Sequence, residues 1–237
     1  MRDAEKEDNM AGVRHRRAYL EVKEKVLRAA AKMFLEDGYE TTTLRAISER
    51  SGVEKHTILY VFGEKEAILC DLVKLLLEAQ YDAVSDFLED KTDDKILLYA
   101  AETVLQLYMA ESSEHIREMY TASYSLPNSS RIVYNTITEK IQETFDEYLP
   151  GLEPRDYYEY EIAAAGIMRN FITVPCDLFF PMERKVRKFL QATLRMYRIP
   201  EDKIDEATGF VFRFDFERLA ERTLSGMYNY MNARIGY

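Results

Sequence analysis

The segment 41–68 holds the side chains whose chemistry is most specific. Cationic, hydroxyl and imidazole groups follow one another closely there: Thr43, Lys55, His56, Thr57, Tyr60 and Lys65. Such groups donate hydrogen bonds to phosphates and to the edges of bases. We expect Tyr60 to reach a phosphate, and Lys55, His56 and Thr57 to lie nearest the base edges. The segment therefore predicts double-stranded DNA as a partner.

The elements that must position these groups are two short helices joined by a tight turn. The first begins after Thr42 or Thr43, whose hydroxyl can cap its free N–H groups, and it ends at Gly52. The second runs over about 54–62. Apolar residues are spaced so that the two helices share a small core: Leu44, Ile47, Val53, Ile58, Val61 and Phe62. This pattern indicates a helix-turn-helix, whose second helix lies in the major groove of DNA.

The flanking sequence extends this pattern. A helix over 18–36 precedes it and is closed by Asp37-Gly38, and Phe62-Gly63-Glu64-Lys65-Glu66-Ala67-Ile68 opens a long helix. Over about residues 19–72 this order resembles the N-terminal domain of TetR-family transcription regulators. The resemblance implies an all-α fold, in which a three-helix DNA-binding domain precedes a larger helical domain for ligand binding and dimerisation. It also implies that Lys65 contacts a phosphate.

Four residues depart from the family pattern. Glu54 stands where a small or capping residue is usual, and His56 stands where Gly is usual. Leu59 and Val61 occupy the positions of the aromatic and His residues that touch DNA. Val61 follows Ile58 by one helical turn, which indicates a core position. Leu59 either packs against the first helix or meets a thymine methyl group.

We divide the chain into a disordered basic and polar arm (1–17), a helix-turn-helix domain (18–64) and an effector-binding and dimerisation domain (65–237). The arm contains Arg14-His15-Arg16-Arg17, which either lies on DNA or is a solvated tail. Helices of the last domain are predicted at about 65–89, 93–111, 113–125, 129–148, 155–174, 182–198 and 203–232, with six prolines marking the later boundaries.

Charge and composition narrow the class of protein. The net charge is −10, yet residues 13–65 hold 11 Lys/Arg and 8 Asp/Glu, a local excess of +3. An acidic remainder would turn the basic end toward the duplex. The two cysteines are far apart in apolar surroundings, which indicates reduced thiols. No signal peptide or membrane span is visible, so we expect a cytoplasmic protein without a membrane partner.

The sequence contains no recognisable catalytic motif. The three histidines lie in separate segments, and no His/Cys cluster has the spacing of metal ligands. No Gly-rich phosphate loop and no nucleophile motif occurs. We therefore expect no enzyme activity, no cofactor and no metal.

The aromatic content predicts a ligand site instead. Residues from 81 onward hold 14 of the 17 tyrosines. Aromatic and Met residues would surround the middle of the second domain: Tyr99, Tyr108, Met109, Met119, Tyr120, Tyr124 and Phe145. In the TetR family this domain holds an effector pocket, and such a lining suits a small, mostly apolar molecule. Ordinary core packing is the alternative, and an acidic effector would need Arg117 or Arg169.

A homodimer is expected through helices 155–174 and 203–232, with 182–198 as the alternative second partner. The first contains the small-residue run Ala163-Ala164-Ala165-Gly166. The leading hypothesis is a DNA-binding transcription regulator, usually a repressor, whose affinity for DNA is controlled by the effector. A TetR-like ligand- or partner-binding protein without specific DNA binding is the alternative. An all-helical enzyme has no catalytic residues to support it.

Overall fold

The computed structural model describes the backbone of residues 2–233 and the side chains of residues 16–229. Within that range the chain is all-α, as predicted. Its helices are α1 (Arg2–Glu36), α2 (Leu44–Ser51), α3 (Lys55–Phe62), α4 (Lys65–Leu88), α5 (Lys95–Glu111), α6 (Glu114–Ser125), α7 (Pro127–Phe145), α8 (Pro154–Thr173), α9 (Met182–Met196), α10 (Glu201–Val211) and α11 (Phe216–Ala233), with a 3-10 turn at Asp146–Tyr148. No helix of this described range is long and apolar enough to cross a membrane.

The first three helices enclose one small core. Phe34 of α1, Ile47 of α2 and Ile58 of α3 are completely buried there. Helix α1 begins at Arg2, whereas the sequence predicted a disordered arm over 1–17. Residues 2–17 contain no proline and are rich in Ala, Glu, Lys and Arg, whose helix propensity is high. The side chains of Arg14 and His15 lie outside the described residues.

The remaining helices form the larger domain around α5. Helix α5 packs against α4, α6, α10 and α11, and α8 packs against α6, α7 and α9. Helix α4 also contacts α1 and α3, so it belongs to both domains. Its buried residues continue from Ile68 through Leu76 to Leu88. One rigid helix therefore runs from the helix-turn-helix to the middle of the second domain.

The predicted single helix over 203–232 is wrong, because the chain breaks between α10 and α11. The Phe214 N–H donates to the Val211 carbonyl in a turn, and the Asp215 carboxylate then accepts the Arg218 N–H at 2.9 Å to begin α11. The break lets the rings of Phe214 and Phe216 both meet Phe87 of α4. Phe212 and Phe214 thus lie in a turn between the two helices, and Phe214 packs against the core.

Candidate DNA-binding surface and ligand cavity

Local hydrogen bonds fix the angle between α2 and α3. The Thr43 hydroxyl accepts the Ala46 N–H at 3.2 Å and caps α2, as predicted. Gly52 has a φ of 66°, which lets its N–H close α2 on the Ser48 carbonyl. The Ser48 hydroxyl then donates to the Val53 carbonyl at 2.7 Å across the turn. The turn therefore holds α3 in one orientation.

Helix α3 has a buried face and an exposed face. Ile58 and Phe62 are buried in the domain core, whereas Tyr60 is 86% exposed. Lys55 and His56 are also exposed, and Thr57 is partly buried beside them. A helix that projects a large aromatic side chain and two basic residues away from its core offers a surface to a partner.

Three of the four departures from the family pattern lie on this helix, and the fourth, Glu54, directly precedes it. Leu59 is 42% exposed, so it is on the outer face and does not pack under α2. Val61 packs against the domain core, as predicted. The His56 ring lies 3.0 Å from a Glu54 carboxylate oxygen, and both side chains are mostly exposed. The outer face therefore mixes basic, acidic and apolar groups.

Lys65 does not project toward solvent as its predicted phosphate contact requires. Its ammonium donates to the carbonyl oxygens of Tyr39 at 2.8 Å and Thr42 at 3.0 Å, and it lies 4.1 Å from the centre of the Tyr39 ring. Burial lowers the pKa of Lys65. In this structure Lys65 joins the start of α4 to the loop between α1 and α2, and through that loop it supports the position of α2.

Two contacts tie the helix-turn-helix to the larger domain. The Glu118 carboxylate of α6 accepts the Glu40 N–H at 2.5 Å. The Glu66 carboxylate in the first turn of α4 accepts the N–H groups of Asn128 at 2.6 Å and Ser129 at 3.1 Å. Because those N–H groups begin α7, the negative charge also stabilises that helix N-terminus.

A cavity lies in the larger domain between α4, α5, α6, α7 and α8. Its volume is about 50 Å³, and Leu77, Ile137, Met168 and Phe189 supply apolar wall. A space of this size admits no more than a few water molecules. A ligand of ordinary size would therefore have to move the helices apart.

Of the predicted pocket residues, Tyr99 and Tyr124 line this cavity and the others do not. The Tyr120 hydroxyl accepts the Gln80 amide at 2.8 Å and is buried beside Met109. Phe145 stacks on Tyr197 with ring centres 4.0 Å apart. Tyr108 is half-buried and stacks on Phe216, while Met119 lies on a different cavity.

The cavity is more polar than the sequence analysis expected. Six polar residues that the sequence did not predict there also line the wall: Gln80, Glu102, Thr103, Gln106, Lys140 and Glu161. One of them had a signal in the sequence. Glu161 continues the spacing of Tyr157, Ala164, Ala165 and Met168, so a carboxylate lies on the apolar stripe of α8.

The two arginines suggested for an acidic effector lie elsewhere. Arg169 is exposed and donates to the Ser125 hydroxyl at 2.7 Å. Arg117 is 3.8 Å from Glu111, whose other carboxylate oxygen accepts the buried Lys185 ammonium at 2.8 Å. Neither arginine lines the cavity.

A second, larger cavity of about 480 Å³ lies between α1, α4 and α11. Its lining is mostly apolar and includes Leu35, Leu75, Leu76, Leu224 and Met227. It adjoins the end of α11, where side chains beyond Asn229 lie outside the described residues. Among the described side chains, no group of three or more His, Cys, Asp or Glu could hold a metal ion.

A family model matches the part of the chain that contains the helix-turn-helix. Residues 26–72 match the family model of bacterial regulatory proteins, tetR family. Over 116 residues the chain is 28% identical to the HTH-type transcriptional regulator RutR of Escherichia coli K12, and the Shigella flexneri RutR matches equally. The match covers 49% of this chain and 48% of RutR, so the chain spans about half the length of the curated relatives it matches.

Two solved structures share the fold at low sequence identity. RolR, solved in complex with resorcinol, has a TM-score of 0.65 at 14% identity, over 81% of this chain and 95% of RolR. SmeT, the repressor of the Stenotrophomonas maltophilia multidrug efflux pump SmeDEF, has a TM-score of 0.51 at 17% identity, over 73% of this chain and 88% of SmeT. These likenesses extend the shared fold into the larger helical domain.

Proposed function

We propose that this chain is a DNA-binding transcription repressor of the TetR family of bacterial regulatory proteins and that a small effector controls it. The relatives support this proposal: RutR is a transcriptional regulator, and SmeT is a repressor. As a regulator of bacterial genes it would act in the cytoplasm.

The observation that carries the proposal is the exposed face of α3. Tyr60 is 86% exposed beside Lys55 and His56, while Ile58 on the opposite side is completely buried. In a helix-turn-helix this second helix enters the major groove. Lys55, His56 and Thr57 would meet base edges, Tyr60 would reach a phosphate, and exposed Leu59 would suit a thymine methyl group.

Thr43 and Lys65 have a different part in this proposal. Thr43 caps α2, and its exposed position leaves it next to the DNA backbone. Lys65 supports the loop that precedes α2 and acts on DNA through that position. At the other end of the domain, exposed Arg16 and Arg17 lie on α1, where they can approach phosphates.

The effector would bind the cavity between α4 and α8. RolR, which shares this fold, has been solved with the small aromatic ligand resorcinol. Because the cavity is narrow, a ligand would push α7 and α8 away from α4. Glu66 links α4 to the start of α7, so the displacement would reach the end of α4 beside α3. Effector binding would thereby favour a form that binds DNA less well.

We also propose a homodimer, because two half-sites of DNA need two recognition helices about 34–36 Å apart. Exposed apolar side chains mark its interface on α8 and on the loop that follows. Ile162 lies on α8, and Leu178 and Phe179 project from the loop, with Leu178 88% exposed. Helix α11 is covered by α1, α4 and α5 of its own subunit. We therefore propose α9, together with α8, as the helices of the dimer interface.

Nuclease protection of the DNA upstream of the protein's own reading frame tests the function. We expect two protected half-sites whose centres lie one helical turn of DNA apart, or a multiple of it. Uniform protection, or none at low salt, would favour the alternative of a TetR-like protein that acts through ligand or partner alone. The mixed charge of the α3 face favours that alternative, because the Glu54 carboxylate beside His56 would repel a phosphate.

A further inference from the structure

The cavity contains a buried carboxyl group with which no described basic side chain forms an ion pair. Glu161 is 3% exposed and lines the cavity from α8. Among the described side chains it takes part in no ion pair, and burial is the only cause that shifts its pKa. A buried carboxylate without a partner is costly, so such a group takes up a proton unless a cation pairs with it.

The neighbouring groups do not neutralise Glu161. Lys140 of α7 is the cation of the cavity wall, and it pairs with Glu102 of α5 and lies 3.6 Å from the centre of the Tyr81 ring. The groups that face Glu161 from the other helices are phenols, namely Tyr81 of α4, Tyr99 of α5 and Tyr124 of α6, with Tyr197 just after α9. Lys140 and Glu102 cancel each other, which leaves one carboxyl group in excess.

Building on the proposed effector site, we propose that this cavity binds a small aromatic molecule that carries a protonated amine. The ammonium group pairs with the Glu161 carboxylate. Tyr99 of α5 and Tyr124 of α6 also line the cavity, and the ring quadrupole of a tyrosine attracts a cation. The apolar side chains of Leu77, Met168 and Phe189 then cover the aromatic part of the ligand.

On ligand binding, Glu161 exchanges its proton for the ammonium group of the ligand. Burial raises the pKa of Glu161 well above its ordinary value of 4.5, so in the empty cavity the neutral acid persists to a higher pH than for an exposed glutamic acid. When the ammonium group enters, Glu161 gives its proton to the solvent and the carboxylate pairs with the ligand. Binding of the amine therefore releases a proton, and amine affinity rises with pH until the amine itself loses its proton.

The cavity also explains why such binding would move the helices. Its volume of about 50 Å³ is too small for a ring with an aminomethyl group. Ala164 and Ala165 keep the wall of α8 thin beside Glu161, and Met168 can change its rotamer. An ammonium group drawn to Glu161 would place the ring between α5, α7 and α8 and force them apart.

Matched ligands test the proposal. We would use phenyl, naphthyl and biphenyl compounds, each as the aminomethyl, hydroxymethyl and carboxylate form, and measure binding by isothermal titration calorimetry. At least one aminomethyl compound should bind with clearly higher affinity than its neutral and acidic counterparts. Titrations in two buffers with different heats of ionisation, repeated at a series of pH values above 4.5, should show that a proton is released wherever the ligand-free protein keeps Glu161 protonated.

Two variants locate the binding group. Glu161→Gln keeps the shape of the side chain and should weaken amine binding about thirtyfold or more, since a buried charge then loses its partner. Glu159→Gln, at an exposed position of the same helix, should leave amine affinity unchanged. Circular dichroism would establish that both variants remain folded. Equal binding of the three forms, no binding of any amine, or an unchanged Glu161→Gln variant would overturn the proposal.

Release of DNA is measured separately, so the two proposals can fail independently. If an amine binds through Glu161 but leaves bound DNA in place, the cation site stands and effector control fails. If a neutral aromatic compound releases DNA while every amine fails to bind, effector control stands and the cation site is wrong.

Discussion

The carboxylate of Glu118 accepts the backbone N–H of Glu40 at 2.5 Å, although the two residues are 78 positions apart in the chain. Glu40 lies in the loop that precedes α2, and Glu118 lies on α6, which also carries Tyr124 on the cavity wall. The carbonyl of Tyr39, one residue earlier, accepts Lys65 of α4. The loop is therefore held by both domains at once, and it can report a movement of α6 to the helix-turn-helix.

Replacing Lys65 with Met should destabilise the helix-turn-helix domain. The change keeps the aliphatic chain but removes the donor for the Tyr39 and Thr42 carbonyls, and hydrogen bonds to a charged group contribute about 1.5–3 kcal/mol. A lower midpoint of thermal unfolding would report the loss. Lys55→Met, at an exposed position, should change stability by less than about 0.5 kcal/mol.

The salt dependence of DNA binding distinguishes a structural role of Lys65 from the phosphate contact that the sequence predicted. If Lys65→Met keeps its stability and the slope of log affinity against log salt falls by about one, Lys65 contacts a phosphate as the sequence predicted. If Lys65 has a structural role, Lys65→Met should lose stability, and its salt slope should stay close to that of the wild type.

Replacing Glu66 with Ala should loosen the start of α7. The N–H groups of Asn128 and Ser129 lose their acceptor, so their hydrogen exchange should become faster. Bound DNA should slow the exchange of these amides in the wild type and have less effect in the variant, because coupling between sites is reciprocal. Glu89→Ala, beyond the end of α4, is the control. If hydrogen exchange at residues 128–129 changes neither with DNA nor with the substitution, the proposed coupling of α4 to α7 through Glu66 is wrong.

The pH dependence of stability should reveal Glu161. Its pKa is raised in the folded protein above the ordinary 4.5, so above that pH the folded state holds a proton that the unfolded state has lost. The unfolding free energy contributed by this group therefore falls as pH rises from 4.5 toward the folded pKa. Glu161→Gln should remove this part of the pH dependence in urea titrations, whereas Glu159→Gln should keep it. Parallel profiles for wild type and Glu161→Gln would mean that Glu161 is ionised in the fold.

The dimer proposal depends on the loop after α8. Replacing Leu178 and Phe179 together with Ser removes two exposed apolar side chains and should shift the protein from dimer toward monomer in light scattering at micromolar concentration. Phe212→Ser, at a less exposed apolar position between α10 and α11, is the control. A wild-type monomer, or an unchanged dimer in the double variant, would remove this surface from the interface.

The sequence predicted the fold class and most of the helices because their signals are local. The Thr43 cap, the Gly52 turn and the proline boundaries each act within a few residues. The break between α10 and α11 was missed because it depends on Phe214 and Phe216 reaching Phe87, a contact distant in sequence.

The site was harder to predict for the same reason. Lys65 is a residue type that contacts phosphates, but its ammonium group donates instead to the Tyr39 carbonyl, in a loop that is distant in sequence. Tyr120 and Phe145 are aromatic residues of the predicted region, but the first accepts a hydrogen bond from Gln80 and the second stacks on Tyr197 in the core. Glu161 could have been found, since a charged residue on the apolar stripe of a helix must meet either a partner or a cavity.

The most direct test of the account compares two duplexes, the upstream fragment and a scrambled one, by fluorescence anisotropy with wild type and Lys55→Ala. The wild type should prefer the upstream fragment by about a thousandfold or more at physiological salt. Lys55→Ala should lose about 1–3 kcal/mol on that fragment and much less on the scrambled duplex, because only the first offers the base edges that α3 reads. Equal affinity of the wild type for both duplexes, or an unchanged Lys55→Ala variant, would contradict the assignment of α3 as the helix that reads DNA.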